Sequence, residues 1–185
     1  MSDSQTGSLT RPRRILTIIA FFLLSATITA AGVLTPLSLE DSEAISEDLR
    51  QVQDEIKDMN LWQSTAFIFA NNIKICLLMF IPAAGQFIGF YVLYNTGLVI
   101  GAESRVMGMP GMIVLAALFI FPHTWLEFTA YSIALAASSW LIWRLFKRQG
   151  KREIVETCKY LAICALILFA AAFIEAYLIV SLPSA

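Results

Sequence analysis

His123 is the single histidine of the chain, and Glu127 follows it at i, i+4, so on a continuous helix the imidazole and the carboxylate share a face. Such a pair can hold a divalent metal through its nitrogen and oxygen ligands, or it can pass protons. Lys74 and Glu175 place two more ionisable groups in stretches that are otherwise apolar, and Asn71, Asn72 and Asn95 add amides to the same kind of surroundings. A charge in hydrocarbon costs on the order of 2.5–3.5 kcal/mol even on the most lenient scale, so such groups face a bundle interior or a water-filled cavity. These seven residues are the candidate binding set. His123, Glu127 and Glu175 are the candidates for acid, base or ligand, and His123 and Glu127 are the candidates for metal.

A structural reading of the pair stands beside the chemical one. Thr124 and Glu127 match a capping box, in which Thr124 caps a helix and Glu127 reaches back to its amide. On that reading His123 simply precedes the helix. Asn71 and Asn72 can serve as interhelical hydrogen bonds, a known glue in membranes. Lys74 is expected to pair with Glu127 or Glu175, which would lower the cost of all three.

The surroundings are those of a lipid bilayer. Of 185 residues 58% are hydrophobic and only 15% are charged, against about 45–50% apolar residues in soluble domains. Runs of about 20 apolar residues read as spans. The net charge of −1 offers no case for nucleic acid as a partner. Cys76, Cys158 and Cys164 form no CxxC pair and read as packing residues. No HExxH, P-loop, GxSxG or internal repeat occurs, so no cofactor is expected beyond the metal candidate.

The organisation follows from these runs. Residues 1–14 form a polar, arginine-bearing tail, and residues 15–35 a first span that resembles a signal peptide but is long enough to be retained. Residues 38–61 carry Glu40, Asp41, Glu43, Glu47, Asp48, Asp54, Glu55 and Asp58, with Ile45, Leu49, Val52, Ile56 and Met59 on one helical stripe. That stripe is expected to pack on the chain's own membrane part. Residues 64–182 form a bundle: spans near 64–82 and 85–102, a half-length run over 111–121 ended by Pro122, a long stretch over 124–146, and a last span over 160–182. Gly85, Gly89, Gly97 and Gly101 line one helix face at steps of four, with Leu93 between, and predict a close helix contact within the chain.

Basic segments stay cytoplasmic. The N-terminus and the loop of Arg144, Lys147, Arg148, Lys151 and Arg152 are therefore placed inside, and the acidic segment outside. Parity then allows 111–146 a single crossing, so 111–121 is expected to be re-entrant with a buried break at Pro122. The expected fold is all-α: a single polytopic membrane domain over 1–185. It has about five full transmembrane helices, one re-entrant or half-length helix and an extracytoplasmic amphipathic helix, with the C-terminus outside. Counted along the spans, Asn71, Asn72, Asn95, His123, Glu127 and Glu175 fall in one polar layer of the outer half, with Lys74 a turn deeper.

The ordered set Asn71-Asn72, Gly85 and Gly89, Asn95-x-Gly97, Pro122-His123-x-x-x-Glu127 and Ala172-Phe-Ile-Glu175-Ala176 resembles the stage II sporulation protein M family over about residues 64–180. The resemblance implies a polytopic membrane protein, and the namesake of the family is a scaffold in a membrane complex that remodels the cell wall. Family members usually carry Gly after the histidine, where this chain has Thr124, so the capping box would be local to this protein. The leading expectation is a non-enzymatic, multi-pass component of a cell-envelope complex, in contact with lipid and with other membrane proteins or further copies of itself. The alternative is an intramembrane hydrolase, or a carrier of protons or small molecules, using the His/Glu/Asn cluster.

Overall fold

The computed structural model describes residues 11–148 and 150–181, among which there are seven helices and no strand. Residues 1–10 of the tail, Leu182, and the side chains of Lys151 and Arg152 in the basic loop lie outside the described residues.

Helix α1 (Arg11–Val33) starts four residues earlier than the apolar run, so Arg13 and Arg14 belong to the helix. Helix α2 (Leu39–Lys57) is capped by Ser38, whose side chain accepts from the Asp41 amide, and it has Glu40 and Asp41 in its first turn, where the helix dipole favours negative charge. Helix α3 (Leu61–Met79) opens with a full capping box between Asn60 and Gln63, which starts it ahead of the expected Ser64. Helix α4 (Ala84–Val106) and the short α5 (Gly111–Leu118) meet at an angle of 119°. Helix α6 (Pro122–Phe146) begins with proline in its first turn, where the missing N–H costs nothing, and α7 (Gly150–Ser181) closes the chain.

Two helical stretches, Pro12–Val33 and Glu153–Ser181, are long and apolar enough to cross a membrane, and the bent α4–α5 pair makes up to three. The physical reason that α3 and α6 fall short is visible in their residues. α3 carries Gln63, Asn71, Asn72 and Lys74. α6 is the interior helix, in contact with α1, α3, α4 and α7. Its Ala130, Ser132, Ala134, Leu135, Ala136 and Ser138 are completely enclosed, and small residues of this kind let helix backbones approach. α1 and α7 instead turn Ile15, Leu16, Leu23, Leu166 and Phe169 outward, a face suited to lipid.

The contacts set the helix directions. At one end of the bundle Arg14 of α1 binds Glu153 of α7 at 2.7 Å, Arg144 of α6 lies 3.7 Å from the same carboxylate, and the Arg14 guanidinium rests over the Trp140 ring. The α3–α4 turn reaches this half as well, with Ser138 donating to the Ile81 carbonyl. At the opposite end α1 and α4 run together: a Cβ on Gly97 would stand 2.1 Å from the Thr29 carbonyl oxygen, and one on Gly32 would stand 2.2 Å from that of Tyr94. The glycine steps of α4 therefore serve a contact within the chain, as Gly89 does against Leu135 and Met79. All three cysteines are free thiols, with Cys76 and Cys164 buried.

Helix α2 packs mainly on α4, and its stripe reaches the chain's own bundle in part: Ile56 packs against Ile68, Ala172 and Ala176, and Ile45, Leu49 and Met59 are half-buried. Its enclosed face is made of Ser42 and Ser46, and Ser46 bonds the Glu103 carboxylate. Val52 remains 44% exposed. Short hydroxyl side chains bring α2 close to α4, and the longer apolar ones project toward the opening between α3 and α7.

Replacing Gly97 by alanine is expected to destabilise the fold by about 1–3 kcal/mol, because the added methyl meets backbone, which cannot rotate away as a side chain can. The check is the midpoint of unfolding in a denaturing-detergent titration, with wild type alongside.

Candidate functional site

A cavity of about 850 Å³ lies between α3, α6 and α7, with α2 across its end. Asn71 and Asn72 line it from α3, His123 and Glu127 from α6, and Glu175 from α7. Leu49, Val52 and Ile56 of α2, Leu118 of α5 and Leu178 of α7 supply apolar wall. Five of the seven residues singled out in the sequence thus border one space.

The firmest link in it is a hydrogen bond of 2.6 Å from the Asn72 Nδ2 amide to the Glu127 Oε1 carboxylate. It spans 55 residues of sequence and ties α3 to α6. His123 stacks on Phe121 with ring centroids 5.7 Å apart, while its Nδ1 is enclosed and has no partner. Neither Asn71 nor Glu175 makes a side-chain hydrogen bond among the described residues.

The expected capping box at Thr124 does not form. α6 starts two residues sooner, at Pro122, with Phe121 at the cap position and no side-chain bond to it. Thr124 instead donates to the Leu118 carbonyl at 2.9 Å, and the Trp125 indole donates to the Phe119 carbonyl at 2.7 Å. Trp125 thus satisfies the Phe119 carbonyl, and Thr124 adds a second donor to a Leu118 carbonyl that already accepts from the Phe121 amide. The break was expected to be buried, but Phe121 and Pro122 are exposed; bonding from α6, not burial, makes the irregular backbone tolerable. With its capping partner gone, Glu127 is free to face Asn72.

Two further expectations are corrected. Lys74 lies on the exposed side of α3 and makes no ion pair with Glu127 or Glu175 among the described residues. It follows Asn72 by only two residues, which turns it about 200° away from the cavity face. Asn95 spends its amide on the Tyr91 carbonyl of its own helix, at 2.7 Å, and does not border the cavity. Nor do the polar groups form one flat layer. Phe173 meets Trp62 in the first turn of α3 with centroids 5.8 Å apart. Glu175, two residues beyond Phe173, therefore lies nearer the α2 end than Asn72, which is ten residues, about 15 Å, past Trp62 along the helix axis. The groups descend from Glu175 to Glu127 as steps.

The sequence reading passed over α2 as a wall of the site, although its Leu49–Val52–Ile56 spacing was the signal. It also passed over Glu153, whose burial between Arg14 and Arg144 has no local sequence mark. Among the described residues no group of three or more His, Cys, Asp and Glu side chains could hold a metal ion.

Substituting Asn72 by leucine is expected to cost about 1–3 kcal/mol, the penalty for leaving a half-buried carboxylate without its donor. The double variant Asn72→Leu with Glu127→Leu should recover most of that loss, since removing both partners is close to neutral. Lys74→Gln should change stability by less than about 0.5 kcal/mol. A double-mutant cycle read by detergent-titration unfolding checks all three.

A family model described as stage II sporulation protein M matches residues 17–178. No curated protein and no solved structure matches the chain. The matched segment takes in Asn71, Asn72, His123, Glu127 and Glu175 and runs from α1 into the last turns of α7. The chain is a membrane protein of the stage II sporulation protein M family.

Proposed function

We propose that this protein is a multi-pass component of a cell-envelope membrane complex that works by holding a ligand in the cavity between α3, α6 and α7. The whole chain acts as one membrane domain. α1, α3, α4, α6 and α7 cross the bilayer, α5 is re-entrant, the N-terminus and the 144–152 loop face the cytoplasm, and α2 and the C-terminus face outward. Other membrane proteins or further copies of the chain are its partners, and its faces of exposed leucine, isoleucine and phenylalanine are covered by lipid.

The observation that carries the reading is the cavity itself. A purely architectural polar cluster would be closed and fully paired, because each unpaired buried group costs free energy. Here an open space of about 850 Å³ keeps the His123 Nδ1, Asn71 and Glu175 without protein partners. Binding is favoured over covalent catalysis because the lining holds no serine, threonine or cysteine nucleophile beside His123. A carrier of protons or small molecules is the second reading, supported by the stepped placement of Glu175 and Glu127 along the cavity.

Two outcomes are expected. In the native cell, Glu127→Gln reproduces the phenotype of the deletion while membrane abundance and thermal stability stay near wild type; a phenotype that tracks lost stability would instead return the cluster to a structural role. For topology, Glu47→Cys reacts with a membrane-impermeant maleimide in intact cells, whereas the natural Cys158, which is exposed, reacts only after permeabilisation. A chain that runs as a lone monomer from mild detergent, with no stable partner, would count against membership of a complex.

A further inference from the structure

We propose that the ligand of this cavity is a small organic cation, an ammonium group carried on an apolar body. The inference rests on the cavity being a binding site and names the class of molecule that fits it. Charge complementarity carries it. Glu127 and Glu175 both face the space, and the lining supplies no cation free to answer them. Lys57, at the α2 end, is already paired with Asp54 at 2.9 Å. Lys74, the one cation on α3, is exposed and outside the lining.

The remaining lining agrees with this choice. Asn72 satisfies one oxygen of Glu127, which leaves the other for a donor from the ligand. Glu175 brings two acceptor oxygens with no protein donor bonded to them. His123 offers an enclosed, unpartnered Nδ1, a further polar contact beside the carboxylates. Most of the rest of the wall is apolar, with Ile68 and Ile179 on facing helices. About 850 Å³ falls within the roughly 300–1,000 Å³ of small-molecule sites, which pair an apolar wall with a few placed polar groups. An anion would meet two carboxylates and no free cation. A neutral amphiphile without a donor group would fill the apolar wall but leave the acceptor oxygens of Glu175 without a partner.

The test is carboxyl labelling of the wild-type protein in zwitterionic lipid nanodiscs by dicyclohexylcarbodiimide, an apolar reagent that attacks carboxyl groups inside membranes, with the modified peptides mapped by mass spectrometry. Octylammonium, octanol and octanoate are the competing probes. The expected result is labelling at Glu127 or Glu175 that octylammonium suppresses about elevenfold at ten times its half-protecting concentration, as single-site occupancy requires, with little effect of octanol or octanoate. Equal protection by octanol would overturn the cation and leave an apolar binding pocket. Labelling that no probe reduces would also overturn it. No labelling at either glutamate would remove the open cavity, and with it the binding reading on which this one rests.

Discussion

A carboxylate in the middle of a helical membrane bundle has to be answered by something, and Asn72 answers Glu127. The arrangement around that bond follows from it. Ahead of Glu127 the chain folds into the short α5 and a break before α6 begins. Lipid cannot satisfy open carbonyls. Trp125 therefore turns back onto the Phe119 carbonyl, and Thr124 onto that of Leu118. The cavity opens beside the first turns of α6, and α2 lies across its end.

The two ends of the molecule are held by different physics. At the basic end, Arg14 and Arg144 converge on Glu153, with Trp140 beneath the Arg14 guanidinium. Buried ion pairs contribute little net stability, yet breaking one partner is costly, so this cluster sets register between α1, α6 and α7 more than it adds free energy. At the acidic end, α1 and α4 touch backbone to backbone through Gly32 and Gly97, and van der Waals packing replaces the hydrophobic drive that lipid removes. α2 is fixed to α4 by Ser42 and Ser46 and only lightly to α3.

Family membership and geometry bear on function in different ways. The family match covers α1 through most of α7 and makes the chain a membrane protein of known kind. The site adds chemistry that a family description does not contain: partly unpaired polar groups from three helices on a shared opening, stepped in depth, with apolar walls between them.

Much of this was legible in the sequence, and the rest has a definite reason for being hidden. Apolar runs and the glycine spacing determined that the chain is helical, in which stretches its helices lie, and that α4 meets another helix closely, because these are local or periodic properties. The helix limits were less legible, α7 starting at Gly150, well ahead of the expected span over 160–182. The rarity of charge in hydrocarbon marked Asn72, His123, Glu127 and Glu175 before any contact was known. What the tertiary structure alone decided were the partners. The pattern of Thr124 and Glu127 satisfied a capping box as written, but Pro122 could start the helix sooner and the Leu118 carbonyl of α5 claimed Thr124. Lys74 and Asn95 belonged to the polar set by type and depth, yet the azimuth of one helix turned the lysine outward, and a nearer carbonyl took the amide. Depth along a helix is written in residue counts. Which face looks inward depends on the neighbours that pack there, and only the assembled bundle supplies them.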